Sequence, residues 1–94
     1  MMHIMSRHRV ADYDAWKKSF DGFADTRKSV GEKSYRILRP QGDPTNVYVL
    51  FEWDTPENAQ AFMKSPELKQ RMQEAGVVEA PEIIFMDLAD QGTL

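Results

Sequence analysis

The sequence predicts an α+β fold with its elements in the order β-α-β-β-α-β, and three observations carry that prediction. Residues 47 to 53 are a β-branched and aromatic run, Val-Tyr-Val-Leu-Phe-Glu-Trp, which suits a strand. The run leads straight into Thr55-Pro56, a hydroxyl cap followed by proline at the first helical position, where no backbone donor is missed. Tyr13, Trp16, Phe20 and Phe23 recur at spacings of three and four, the stripe of a helix that buries one face.

Length and composition bound the answer. The chain has 94 residues, enough for a single domain over residues 1–94. It is 41% hydrophobic and 29% charged, with a net charge of -3. That balance predicts a folded protein with no nucleic-acid partner, since phosphate neutralisation needs clustered Lys and Arg. There is no cysteine, which excludes disulfides, thiol catalysis and thiolate metal sites. No signal peptide is recognised. No apolar run approaches the roughly 20 residues that span a bilayer. The expectation is a cytoplasmic protein that uses no membrane.

In chain order, residues 3–10 form a first strand, with Ile4, Ser6, His8 and Val10 on one face. Residues 12–30 form a helix that Asp12 caps and Gly31 ends; Gly22 weakens its middle. Residues 33–39 form a second strand. Pro40 to Pro44 supply turn chemistry, so the second and third strands make a hairpin. A symmetric turn sets Tyr35 opposite Leu50 and Lys33 opposite Glu52. The second helical region runs from Pro56 to about Lys64, restarts at Pro66 with Ser65 as cap, and stops at Gly76. Residues 77–82 connect to a last strand over 83–88, and residues 89–94 are a polar tail.

This is the split βαβ, ferredoxin-like order. Right-handed crossovers place the last strand beside the first, then the third, then the second, in a four-stranded antiparallel sheet with both helices on one face. The third strand is apolar on both faces, with Val47, Val49, Phe51 and Trp53 on one and Tyr48 and Leu50 on the other. An antiparallel strand with one wet face should alternate cleanly. The second face is therefore expected to bury against a second copy of the chain across a two-fold axis.

The segments His8 to Lys17, Val47 to Phe62, and Ser65 to Lys69 with Met72 and Ala75-Gly76-Val77 resemble the dimeric α+β barrel superfamily, in particular its small antibiotic biosynthesis monooxygenase-like proteins. The resemblance covers nearly the whole chain. It implies a homodimer joined through the sheet faces and a pocket in each subunit, between sheet and helices, for a hydrophobic or aromatic ligand. Some members use an Asn-Trp-His constellation with the Asn on the first strand. Here that strand offers Ser6 and His8, while the asparagines are Asn46 and Asn58. The haem-degrading triad is not matched, and the second helical region has no histidine to ligate haem.

His8 is the candidate base, because imidazole titrates near neutrality and can take a proton from a phenol or hydroxyquinone. Its structural alternative is a strand histidine bonded to its surroundings or lying in the dimer contact. Trp16, Phe20, Phe51, Trp53 and Phe62 are candidate ligand walls, or plain core. Tyr35 and Arg36 are candidates to hold an oxyanion, or a cross-strand pair and a solvated charge. His3 and His8 lie on opposite strand faces and cannot share a metal, so no metal site is expected. The resulting reading is a cofactor-independent monooxygenase-like enzyme for an aromatic or polyketide-like molecule. The alternative is a non-catalytic homodimer that binds a small ligand in metabolism or stress.

Overall fold

The computed structural model describes residues 2–94. Strand β1 (Met2–Arg9) is followed by helices α1 (Tyr13–Gly22) and α2 (Ala24–Ser29). The hairpin β2 (Glu32–Leu38) and β3 (Asn46–Trp53) comes next. Helices α3 (Pro56–Met63) and α4 (Pro66–Glu74) lead to β4 (Glu82–Met86). The sheet order is β2-β3-β1-β4, and every neighbour is antiparallel. This is the expected ferredoxin-like α+β arrangement.

The caps form where the residue types demand them. Asp12 accepts from the Ala15 N–H, Thr55 from the Asn58 N–H and Ser65 from the Leu68 N–H, each satisfying one orphan donor of a first turn. The two cap-proline pairs begin α3 and α4.

The expected single helix over 12–30 is two helices. The break falls at Phe23, with φ -98° and ψ 3°, directly after Gly22, the weakest helix former in the run. The hairpin register also differs from the symmetric one. Tyr35 pairs with Phe51 and Ser34 with Glu52, with an irregularity between Glu32 and Ser34. The turn is not symmetric: it folds through two successive tight turns, Asp43 N–H to Pro40 carbonyl at 3.1 Å and Asn46 N–H to Asp43 carbonyl at 3.2 Å. The shift puts Tyr35 and Ile37 on the same face as Phe51 and Val49. A slip of one residue reverses every side chain of a strand.

The core lies between sheet and helices. Ile4, Val47, Val49, Trp53 and Ala59 are fully buried, joined by Val10, Trp16, Phe23, Phe51 and Phe62. Alternation along β1 sends Ile4, Ser6 and His8 into this layer. The other face of the sheet carries Leu50, Ile84 and Met86, all substantially exposed, beside an Arg7–Glu82 ion pair at 3.7 Å.

Candidate functional site

A cavity of about 60 Å³ opens between the sheet and the helices. It has room for about four to six water molecules, on the order of one substituted aromatic ring. β1 contributes His8 and Ser6, α1 contributes Trp16 and Phe20, β3 contributes Phe51, and α3 contributes Phe62. Leu68, Arg71 and Met72 of α4 close one side. The aromatic walls brace one another: Trp16 stacks on Phe20 with centroids 5.0 Å apart, and Phe62 lies 5.1 Å from Trp53. Walls locked by their neighbours give a preformed site.

His8 is 8% exposed. Its Nε2 lies 2.9 Å from the Ser6 hydroxyl, and its Nδ1 is buried with no partner. Loss of hydration disfavours the imidazolium and lowers the His8 pKa from 6.5 to about 4. The ring is therefore neutral at physiological pH. A buried acceptor without a partner costs less than a buried N–H without one. The arrangement favours the tautomer in which Nε2–H donates to Ser6 Oγ and Nδ1 keeps a free lone pair.

Arg27 is a cavity residue that sequence reasoning missed. It is only 2% exposed. Its Nε donates to Glu32 Oε1 at 2.9 Å, its Nη1 donates to the Phe20 carbonyl, and its guanidinium lies 3.6 Å above the Phe20 ring. Nη2 has no partner. Burial pushes the Glu32 carboxyl pKa up against the opposing pull of Arg27. A signal existed: Arg27 continues the stripe of Trp16, Phe20 and Phe23 at spacing four, and a charge on an apolar stripe needs a reason to be there.

The family model of antibiotic biosynthesis monooxygenases matches residues 1–74. The chain belongs to the antibiotic biosynthesis monooxygenase family. Solved structures share its fold. SnoaB, a cofactor-independent oxygenase from Streptomyces nogalater, superposes with a TM-score of 0.78 at 12% identity, over 96% of this chain and 94% of that one. A protein of unknown function from Nitrosomonas europaea gives 0.72 at 13% identity, over 99% and 93%. Rv0793 from Mycobacterium tuberculosis gives 0.68 at 11% identity, over 98% of each chain. No curated protein matches this chain in sequence.

Within this monooxygenase-family fold, five of the candidate residues come together: His8, Trp16, Phe20, Phe51 and Phe62 all line the cavity. Three do not. Arg36 pairs with Leu50 and is exposed on the opposite sheet face, because alternate residues of β2 point away from the helices. Tyr35 faces the helices but sits outside the lining, edge-on to Phe20 at 5.0 Å. Trp53 is fully buried behind Phe62, and its indole N–H has no partner. Arg27, not Arg36, is an arginine of the cavity lining. Among the described residues no group of three or more His, Asp or Glu side chains is placed to hold a metal, and no helix is long and apolar enough to cross a membrane.

Proposed function

We propose that this protein is a cofactor-independent oxygenase that acts on a small phenolic aromatic, with His8 Nδ1 as the base. Family membership supports the reaction class. The observation that carries the residue assignment is the neutral, buried His8, a residue of the aromatic cavity lining with one ring nitrogen unpartnered.

Proton transfer from a phenol to His8 creates an imidazolium–phenolate pair. Burial opposes the imidazolium alone, but an adjacent phenolate favours it. The proton therefore moves only when substrate is present. The electron-rich phenolate then reduces O₂, and a ring carbon forms a bond to one oxygen atom. Loss of water from the resulting peroxide breaks the O–O bond and leaves a carbonyl. A ring C–H becomes C=O, one oxygen atom enters the quinone, and the other leaves in water. Trp16, Phe20, Phe51 and Phe62 hold the ring and exclude solvent. The cavity volume favours one ring; a polyketide-sized ligand would require α4 to move.

The family's proteins are typically homodimers. The outer sheet face, with Leu50, Ile84 and Met86 uncovered, is the surface this reading assigns to the second copy.

The test is O₂ consumption with 2,6-dimethylphenol, whose free para C–H can become the second carbonyl, over the buffer rate, with ¹⁸O₂ to trace the product. One labelled atom should enter the quinone. His8→Gln should lower the rate by about 100-fold or more, the usual worth of a positioned base. An unlabelled product, or an unchanged rate in His8→Gln, would sink the assignment.

A further inference from the structure

We propose that the cavity selects an aromatic carboxylate, whose ionised oxygen binds Arg27 Nη2 while its ring lies among the aromatic walls. The proposal rests on the preceding reading of the cavity as a ligand site and narrows its substrate class to single-ring acids.

Arg27 carries the argument. A guanidinium has five N–H donors in a rigid fork. Here the Nε edge is taken by Glu32 and Nη1 by the Phe20 carbonyl. Nη2 is buried, lacks a partner, and belongs to a residue that lines the cavity. Buried donors without partners are rare in folded proteins, and the residue that carries this one lines a space large enough for a ligand.

The electrostatics of the lining point the same way. Arg27 and Arg71 both contribute, and no described lining residue is Asp or Glu. This holds in a chain whose net charge is -3. Glu32, the partner of Arg27, lies outside the lining and bonds Nε, leaving Nη2 without a partner. Arg71 lies 4.8 Å above the Phe23 ring, so aromatic faces hold both cations in place. A neutral phenol would leave Nη2 with a weaker acceptor. A carboxylate supplies a charged one, and charge-assisted hydrogen bonds are the stronger class.

The test compares benzoate with benzamide, its neutral isostere, by calorimetry on the full chain at pH 7.5. Benzoate should bind about tenfold or more tightly, the scale of one charged hydrogen bond. Arg27→Met combined with Glu32→Gln removes both charges and leaves neither stranded; it should abolish the preference for benzoate over benzamide. The comparison on the unaltered protein needs no variant to fold. Equal binding of the two ligands overturns the proposal and leaves the oxygenase reading standing. Binding of neither also overturns it, whatever the O₂ assay returns. A benzoate preference without any O₂ consumption keeps the anion site and removes the oxygenase.

Discussion

The Ser6 hydroxyl lies 2.9 Å from Nε2 of His8, two residues along the same strand and on the same face of it. Position i+2 on a strand points the same way as i, so β1 itself delivers the pair to the cavity. The arrangement engages one ring nitrogen and leaves the other unpartnered. Two expectations come from this pair.

The first concerns pH. His8 has a folded-state pKa of about 4 against an ordinary 6.5. Between these values the unfolded chain binds a proton that the folded one refuses, so stability falls as pH drops from 6.5 toward 4. Above 6.5 both states are neutral and His8 contributes no slope. The full effect is about 3 kcal/mol. Urea unfolding of the natural protein and of His8→Gln at several pH values isolates it: the variant should lack that part of the acid loss. Identical slopes would mean that His8 is hydrated in solution. The acid limb of kcat/KM should likewise sit near pH 4, not near 6.5.

The second concerns the tautomer. Ser6→Ala removes the partner of Nε2 in a position that is 1% exposed. A stranded buried donor costs about 1–3 kcal/mol. Nitrogen-15 NMR of the natural protein should show His8 protonated at Nε2 and bare at Nδ1. In Ser6→Ala this preference should weaken and, on the proposed mechanism, turnover should fall, because His8 is no longer held in the tautomer that the mechanism uses. A natural protein protonated at Nδ1 would rule out that nitrogen as the base.

The element order, both cap-proline helix starts and the glycine stops were legible because each rests on local chemistry. Thr55 and Pro56 specify a helix start whatever surrounds them. The face that His8 shares with Ile4 and Ser6 was also legible, since alternation on β1 needs no partner. The hairpin register was not, because the turn from Pro40 to Pro44 accepts more than one geometry, and Tyr35 changed partner from Leu50 to Phe51. Arg36 lies outside the cavity for a different reason: a charge on a strand reveals its face only through register. Arg27 was missed because a helical arginine is ordinarily a solvated charge. What makes it internal is the break at Phe23 and the buried Glu32 beyond Gly31, a meeting of two elements that no single window contains.

The outer sheet face yields a test of assembly. Leu50, Ile84 and Met86 are each between 38% and 40% exposed, and they surround the pairs formed between β1 and its neighbours. Sedimentation equilibrium should give about twice the chain mass of 10.9 kDa. Leu50→Arg combined with Ile84→Arg places two more like charges beside Arg7 and Arg36, and should return the protein to a monomer with its helices intact by circular dichroism. A natural protein that sediments as a monomer would show that this face works uncovered.

Gly31 joins the helical layer to the sheet at one tight point. It sits between α2 and β2 at a φ of 125°, a conformation that side chains disfavour. Its carbonyl accepts from the Asp54 N–H at 3.0 Å. A Cβ added there would overlap the Asp54 carboxylate. That carboxylate is already committed: Oδ1 accepts from the Thr55 N–H at 2.7 Å and from Asn58 Nδ2 at 3.2 Å, which fixes the start of α3. Gly31→Ala therefore combines backbone strain with displacement of a helix-start network. The expected loss is about 2–3 kcal/mol, read as a lowered urea midpoint with an unchanged slope. Gly42 is the control. It also has a positive φ, 80°, but nothing lies within 4 Å of its missing Cβ, so Gly42→Ala should cost only its backbone strain, about 1 kcal/mol. If the two variants lose the same stability, the contact with Asp54 contributes nothing and φ alone explains both glycines.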